Sequence, residues 1–181
     1  MTTHHFALFD TMIGTCGIAW HAGGITRLQL PETDPATTRA RLRRRFPAAD
    51  EAVPPAMVQR TIDEILALLR TEVADLSGAV LDMQGVPQFH QQVYAITRSI
   101  PPGATLTYGE LALRLGTPGA ARAVGQALGA NPFPIIVPCH RVLAANGKAG
   151  GFSAHGGVVM KRRLLAIEGA RSSPGLFDSL T

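Results

Sequence analysis

Cysteine is scarce in this sequence, and the two cysteines have no partner close by. Cys16 and Cys139 lie far apart and form no Cys-x-x-Cys pair. This spacing excludes a disulfide framework and a cysteine-rich zinc site, and it suits a reducing compartment. His4, His5 and His21 flank Cys16, but their spacing matches no standard set of ligands. Zinc binding there is the less favoured interpretation, and neither metal nor cofactor is expected.

Long apolar runs are missing as well. Residues 1–9 do not combine a basic segment with an apolar stretch. No later window of about 18 uncharged apolar residues is present that could cross a membrane. The sequence therefore predicts a soluble, cytoplasmic protein without a membrane partner. With 46% hydrophobic residues among 181, the chain has enough apolar surface for one domain or two small ones.

Acidic residues are rare in the second half of the chain. Residues 1–88 hold eight Lys or Arg and ten Asp or Glu, whereas residues 89–181 hold nine and three. A basic segment attracts polyanions, so the second half is the candidate to meet nucleic acid, although a solubilising surface fits the charge equally well. The arginine run from Arg39 to Arg45 circles its predicted helix instead of lining one face, which favours a solvated helix over a nucleic-acid site.

The first half has the pattern of a small sheet followed by helices. Apolar residues alternate through the first thirty positions between glycines, which predicts an antiparallel sheet. Residues 39–46 and 56–70 have helical periodicity, and residues 80–83 are a candidate further strand. The composition changes near residue 85, in Gln84-Gly85-Val86-Pro87. We therefore expect an N-terminal domain over 1–85 and a C-terminal domain over 86–181.

The C-terminal domain contains a predicted helix-turn-helix. Residues 89–100 repeat apolar side chains at helical spacing and are stopped by two prolines. The next helix is expected to begin with the capping-box sequence Thr107–Glu110 and to end at Gly116. Thr117 and Pro118 then have the pattern of an N-cap followed by proline at the first helical position. Two short helices joined by a tight glycine-containing turn indicate a helix-turn-helix.

The second helix of this pair has unusually small side chains. A recognition helix normally presents long polar side chains to base edges. Here Arg122 is the only long cation among small residues, which are Ala121, Ala123, Gly125 and Ala127. This composition suits a helix pressed against a DNA groove without reading its sequence, with Arg122 as a probe or wedge. An alanine-rich core helix with one exposed arginine is the alternative.

The second half contains five short motifs, which are Tyr108-Gly109-Glu110, Ala121–Gly125, Asn131-Pro132, Pro138-Cys139-His140-Arg141-Val142 and Glu168-Gly169. Together they resemble one protein family, the O6-alkylguanine-DNA alkyltransferases. The resemblance is close from residue 89 to residue 169 and only general before residue 85. It implies an α/β (α+β) fold with a ribonuclease-H-like N-terminal domain and a C-terminal winged helix-turn-helix domain. The chain is expected to act as a compact monomer.

Cys139 is the residue on which the implied function depends. A thiol is a weak nucleophile until it loses its proton, and a neighbouring base such as His140 favours the thiolate. A Cys-His pair alone would more often indicate a buried structural cysteine. Attack on an alkyl carbon bound to guanine O6 gives a thioether, which offers water no carbonyl to attack. The expected activity is therefore a stoichiometric, irreversible methyltransferase reaction on double-stranded DNA that contains alkylated guanine.

The resemblance also implies roles for the residues around Cys139. It implies a water between the thiol and His140, Glu168 as the group that orients the imidazole, and Tyr108 as the donor to the leaving guanine. Asn131 is expected to brace the turn before the reactive cysteine. A base inside a duplex cannot reach such a cysteine, so the nucleotide must be everted. Arg122 would then fill the vacated stack.

Further contacts are implied for DNA and for the pocket. DNA contacts are expected from Ala121, Ala123, Gly125 and Arg141. Pocket contacts are expected from Pro134, Val142, Phe152 and Ser153. Phe152 stands where this family often has tyrosine, so Ser153 is expected to carry more of the contact with the guanine oxygen. Asn146-Gly147 is a hairpin signal that fits the wing.

Three other functions fit parts of the sequence. A non-catalytic sensor of alkylated DNA would share the fold, but Cys139 argues against it. A cysteine hydrolase would not need the small-residue helix, and a transcription regulator would need a helix that reads bases. Activity on O4-alkylthymine and cooperative binding to DNA stay open.

Overall fold

The computed structural model describes residues 3–170 and separates the chain into two units. One unit comprises Met1–Gln84 with Pro132–Ile136, and the other comprises Gly85–Asn131 with Val137–Thr181. The sequence placed 132–136 in the C-terminal domain, but the structure packs this segment with the N-terminal unit. The physical reason is a backbone hydrogen bond, because the buried Leu28 N–H donates to the Pro132 carbonyl oxygen at 2.9 Å.

The N-terminal unit is built on a four-stranded sheet. Strands β1 (His5–Thr11), β2 (Gly14–His21) and β3 (Gly24–Gln29) are antiparallel neighbours, as the alternating pattern predicted. The short β4 (Asp50–Glu51) pairs in parallel with β1, which gives the order β3-β2-β1-β4. The predicted strand at 80–83 is wrong, because this segment forms a single bridge between Leu81 and Ile25.

Two helices complete the N-terminal unit. Helix α1 (Pro35–Arg45) begins four residues before the predicted start at 39, because the Asp34 carboxylate accepts a hydrogen bond from the Thr37 N–H at 2.7 Å. Helix α2 (Ala56–Leu69) agrees with its predicted range and buries Val58, Ile62 and Ile65. A short 3-10 turn, Leu76–Gly78, follows α2.

Within its described residues, the second unit contains four helices and a pair of two-residue strands. Helices α3 (Gln88–Arg98) and α4 (Tyr108–Arg114) are followed by α5 (Ala121–Gly129) and, near the end of the described chain, by α6 (Gly157–Ile167). Strands β5 (Leu106–Thr107) and β6 (Val142–Leu143) pair in parallel. Together the two units give the mixed α+β fold that the sequence predicted. No helix within residues 3–170 has the length and apolarity needed to span a bilayer.

The helix-turn-helix is present, with one correction at its turn. The predicted capping box is confirmed, since the Thr107 hydroxyl accepts from the Glu110 N–H at 3.1 Å and the Glu110 carboxylate accepts from the Thr107 N–H at 2.6 Å. The predicted N-cap at Thr117 is wrong. Gly119 has a φ of 88°, a left-handed conformation that a helix does not accommodate, so α5 begins only at Ala121.

Two further local predictions differ from the structure. The apolar run 135–137 is buried but forms a turn instead of a strand, with Ile135 at a φ of 70°. The Asn146-Gly147 turn is closed by a hydrogen bond from the Ala144 N–H to the Lys148 carbonyl. β6 pairs with β5, however, and no other strand is assigned in the described chain after the turn, so the predicted turn is present without a two-stranded ladder beside it.

Candidate active site

Cys139 lies at a pocket formed wholly by the second unit. It begins a 3-10 turn, Cys139–Arg141, directly after Pro138, and only 7% of its surface is exposed. The pocket has a volume of about 610 Å³. Its other lining residues come from α4, α5 and the loop before α6, and they are Tyr108, Ala121, Arg122, Gly125, Gln126, Leu128, Gly129, Gly151, Phe152 and Ser153. The structure therefore brings seven of the fourteen predicted site residues to the lining of one cavity.

Some predicted site residues lie outside this lining. Ala123 is half-buried on α5, and Val142 is buried in β6 with its carbonyl oxygen turned to Lys161. Pro134 belongs to the segment that packs with the N-terminal unit. Asn131 lies beneath the thiol, where its side-chain amide donates to the Val137 carbonyl at 2.9 Å. Its predicted role as a brace therefore has a visible contact.

The environment of the thiol favours its neutral form in the free protein. Burial raises the pKa of Cys139, against the opposing effects of an Asn131 hydrogen bond, the charge of Lys161 and nearby backbone N–H groups. Cys16 is also buried, and burial raises its pKa to about 12. A base must therefore accept the proton when the Cys139 sulfur attacks.

His140 has the protonation state of such a base. Its Nε2 lies 2.8 Å from Oε1 of Glu168. Burial would raise the pKa of Glu168, but hydrogen bonds and charges from His140 and Arg141 outweigh it and hold the pKa at about 2. Since the carboxylate can only accept, Nε2 carries the imidazole proton. Burial lowers the pKa of His140, so the ring is neutral and its Nδ1 keeps a lone pair.

The position of His140 Nδ1 makes this lone pair available. The atom is buried and has no hydrogen-bond partner among residues 3–170. A buried polar atom is normally satisfied by protein or by ordered water. Nδ1 is therefore an acceptor that no donor among these residues satisfies.

Arg141 has a different role from the predicted DNA contact. Only 5% of its surface is exposed, and its guanidinium donates to both Glu168 oxygens, from Nη2 to Oε1 at 2.7 Å and from Nε to Oε2 at 2.9 Å. A third donor, Nη1, is bound to the Ile100 carbonyl. The side chain is thus occupied inside the protein. We assign Arg141 to holding the Glu168 carboxylate.

The sequence did not single out Lys161, although it belongs to the site. It is 1% exposed, and its Nζ donates to the Val142 carbonyl at 2.6 Å and to the Tyr108 hydroxyl at 3.5 Å. Burial lowers the pKa of Lys161 to about 8, against the charge of Cys139. The available signal was its helical spacing from Leu164 and Leu165, which places all three on the buried face of α6.

Tyr108 is held as a neutral hydroxyl beside the pocket. Burial, and secondarily the charge of Cys139, raises its pKa above the ordinary value. Gly150 has a φ of 63°, and a Cβ there would lie 3.0 Å from the Tyr108 hydroxyl oxygen, so this position favours glycine on two counts.

Arg122 is exposed on α5 and forms no ion pair with another residue of the described chain.

These features define a class of protein, an α+β protein with a helix-turn-helix and a pocket that ends at a buried thiol next to a neutral imidazole. The family model for the 6-O-methylguanine DNA methyltransferase DNA binding domain matches residues 88–170. A methylated-DNA–protein-cysteine methyltransferase of Mycobacterium tuberculosis strain H37Rv is 36% identical over 172 residues, or 95% of this chain and 96% of that protein. The chain belongs to the methylated-DNA–protein-cysteine methyltransferase family, as its motifs indicated.

Other relatives agree with this assignment. The bifunctional transcriptional activator/DNA repair enzyme Ada of Escherichia coli K12 is 39% identical over 163 residues, which are 90% of this chain and 45% of that protein. The crystal structure of Mycobacterium tuberculosis OGT in complex with DNA matches with a TM-score of 0.73 and 36% identity. That match covers 94% of this chain and 96% of the solved one.

Proposed function

We propose that this protein repairs double-stranded DNA by moving an alkyl group from O6 of guanine to the sulfur of Cys139, and that each molecule reacts once. The observation that carries the proposal is the buried Cys139 thiol at a pocket beside the small-residue helix α5. The free lone pair on the adjacent His140 supports it. We place the reaction in the cytoplasm, where a reducing environment keeps the thiol free.

The proposed step exchanges one bond for another. A bond forms between Sγ of Cys139 and the alkyl carbon, the bond from that carbon to guanine O6 breaks, and its electron pair leaves with guanine. The thiol proton passes through a water to Nδ1 of His140, guanine takes up one proton from water, and His140 then returns its proton to water, so that no net proton is gained or lost. The products are S-alkylcysteine and unmodified guanine, and the thioether does not hydrolyse.

We assign Tyr108 as the hydrogen-bond donor to the leaving guanine. A donor near the ring nitrogens disperses the charge that develops as the bond to O6 breaks. Since Lys161 donates to the Tyr108 oxygen, the hydroxyl proton is free to point toward the base. Phe152 supplies an apolar wall, and Ser153 is the nearby hydroxyl for contact with the guanine oxygen.

The lesion must leave the duplex to reach this pocket. Cys139 is 7% exposed, so only a nucleotide turned out of the stack can approach its sulfur. The small residues of α5 allow close approach to a groove, and the exposed Arg122 is available to fill the gap in the stack. Ala121, Ala123 and Gly125 are the positions we assign to groove contact.

The proposal is tested by mass spectrometry after incubation with O6-methylguanine duplex. We expect Cys139 to gain one methyl group per molecule, with no further turnover when DNA is in excess. An unchanged mass with retained binding would indicate a lesion sensor instead. Repeated turnover would indicate a hydrolase, and either result would contradict the proposed transfer.

The role of Arg122 gives a second expected result. Arg122→Ala should slow repair in duplex DNA on the order of tenfold, because the everted nucleotide loses its replacement in the stack. Reaction with free O6-benzylguanine needs no eversion and should keep its rate. Arg114→Ala on α4, exposed and outside the pocket lining, is the matched control. Equal slowing with free base and duplex would contradict the wedge role.

A further inference from the structure

Most of the positive charge of the N-terminal unit lies on two of its elements, β3 and α1. The unit contains ten acidic residues and eight arginines and is therefore acidic as a whole. Six of the eight arginines nevertheless lie on β3 or α1, and the other two, Arg60 and Arg70, lie in α2 or at its end. The positive charge of this unit is therefore concentrated on two elements, whereas the sequence alone favoured an ordinary solvated helix for the run Arg39 to Arg45.

Three of these arginines, Arg27, Arg41 and Arg45, form a group that we call the arginine cluster. Arg41 and Arg45 are one turn apart on α1, on either side of Leu42 in the sequence. Arg27 on β3 is the cross-strand partner of Ala19, and Ala19 packs against Leu42, so Arg27 is on the sheet face that α1 covers. Burial lowers the pKa of Arg27, and the like charges of Arg45 and Arg41 lower it further. Because like charges held together destabilise a fold, folding stability does not account for this arrangement.

Nearby acidic residues neutralise only part of this charge. Arg41 pairs with Glu32 at 3.1 Å, and Arg39 pairs with Glu51 at 2.9 Å. Arg43 lies over the Phe6 ring, 5.8 Å from its centroid. The side chains of Arg27 and Arg45 form no ion pair or hydrogen bond with any residue between 3 and 170. Favourable interaction with the C-terminal end of α1 explains Arg45 but not Arg27, which is on a strand.

We infer that the arginine cluster binds backbone phosphates of duplex DNA, as a contact additional to the one around the Cys139 pocket. Guanidinium groups bind phosphate through paired hydrogen bonds and stay charged when partly desolvated. A phosphate would supply the negative charge that the cluster lacks, and Arg27 is already half-buried, so part of its desolvation cost is met before DNA binds. The choice of DNA as the polyanion rests on the proposed function.

The inference is tested by measuring how salt weakens binding of the full chain to an undamaged duplex. Each phosphate contact contributes about 0.9 to the slope of log affinity against log salt. Arg27→Gln with Arg45→Gln should therefore reduce the slope by about 1 to 2 and the affinity by roughly tenfold at low salt. The matched control, Arg60→Gln with Arg70→Gln, removes the same charge from the same unit and should leave the slope unchanged.

The outcomes distinguish an effect of the arginine cluster from an effect of total charge, and they distinguish failure of this inference from failure of the proposed function. Equal losses in the two double variants, or no loss in either, would overturn the inference. Arg45→Gln alone removes an exposed side chain and should lower the slope even if the Arg27 change prevents folding. Alkyl transfer from free O6-benzylguanine should keep its rate in every variant. Absence of transfer in the wild type would refute the proposed function, while the comparison of salt slopes would still stand.

Discussion

Replacing Cys139 with alanine should abolish alkyl transfer and leave the affinity for duplex DNA unchanged. The change removes the sulfur that accepts the alkyl group, but it removes no groove contact of α5. The residue is small and 7% exposed, so the loss of packing should lower stability only by about 1 kcal/mol. The measurements are protein mass after exposure to O6-methylguanine duplex and binding to the same DNA.

Cys16→Ala is the matched control for this experiment. Cys16 is the other buried cysteine, it lies in β2, and burial raises its pKa to about 12, so its loss should not affect transfer. Cys139→Ser keeps the side-chain volume nearly constant and removes only the reactivity. If both Cys139 variants lose DNA binding together with transfer, the cysteine is structural and the proposed chemistry is wrong.

Glu168→Gln should slow transfer on the order of 100-fold, within the range that a positioned acid or base contributes. The amide no longer balances Arg141 and no longer favours the tautomer in which His140 Nδ1 is free. The rate of Cys139 alkylation against pH is the measurement. At high pH hydroxide can deprotonate the thiol directly, so the difference from wild type should shrink, which a purely structural defect would not produce.

Two further variants control for damage to the fold. Glu72→Gln removes an exposed carboxylate whose contact with Arg70 is 3.9 Å long, and it should leave the rate unchanged. His140→Gln removes the base but keeps the pair between Glu168 and Arg141, so it should lose activity with less loss of thermal stability. If His140→Gln kept the wild-type rate, the proton route through Nδ1 would be excluded.

The Glu168 carboxylate should also make the stability of the fold depend on pH. The pKa of Glu168 is lowered from 4.5 to about 2 in the folded protein, so its ionised form stabilises the fold. This contribution is complete above pH 4.5 and is lost as the pH falls toward 2. The melting temperature of Glu168→Gln should therefore fall less steeply than that of wild type across this range, and parallel curves would contradict the assignment.

Local structure was predictable wherever the signal lies within a few residues. The meander β1–β3 follows from alternation, α2 from helical periodicity, and the start of α4 from a capping box whose two partners are three residues apart. Two of the predictions that failed depend on single backbone angles. The left-handed φ of Gly119 moves the start of α5 to Ala121. The left-handed φ of Ile135 keeps the run 135–137 out of the extended conformation that its apolar side chains favour.

The sequence by itself determined the reactive residue and its family, because Pro138–Val142 and the motifs around it are contiguous. The tertiary structure decided which partners that residue has. Arg141 is 27 residues from Glu168, and Lys161 is 53 from Tyr108, so only the packing of α6 against the rest of its unit could bring these groups together. A buried charge requires a partner, and the fold decides where in the chain that partner lies.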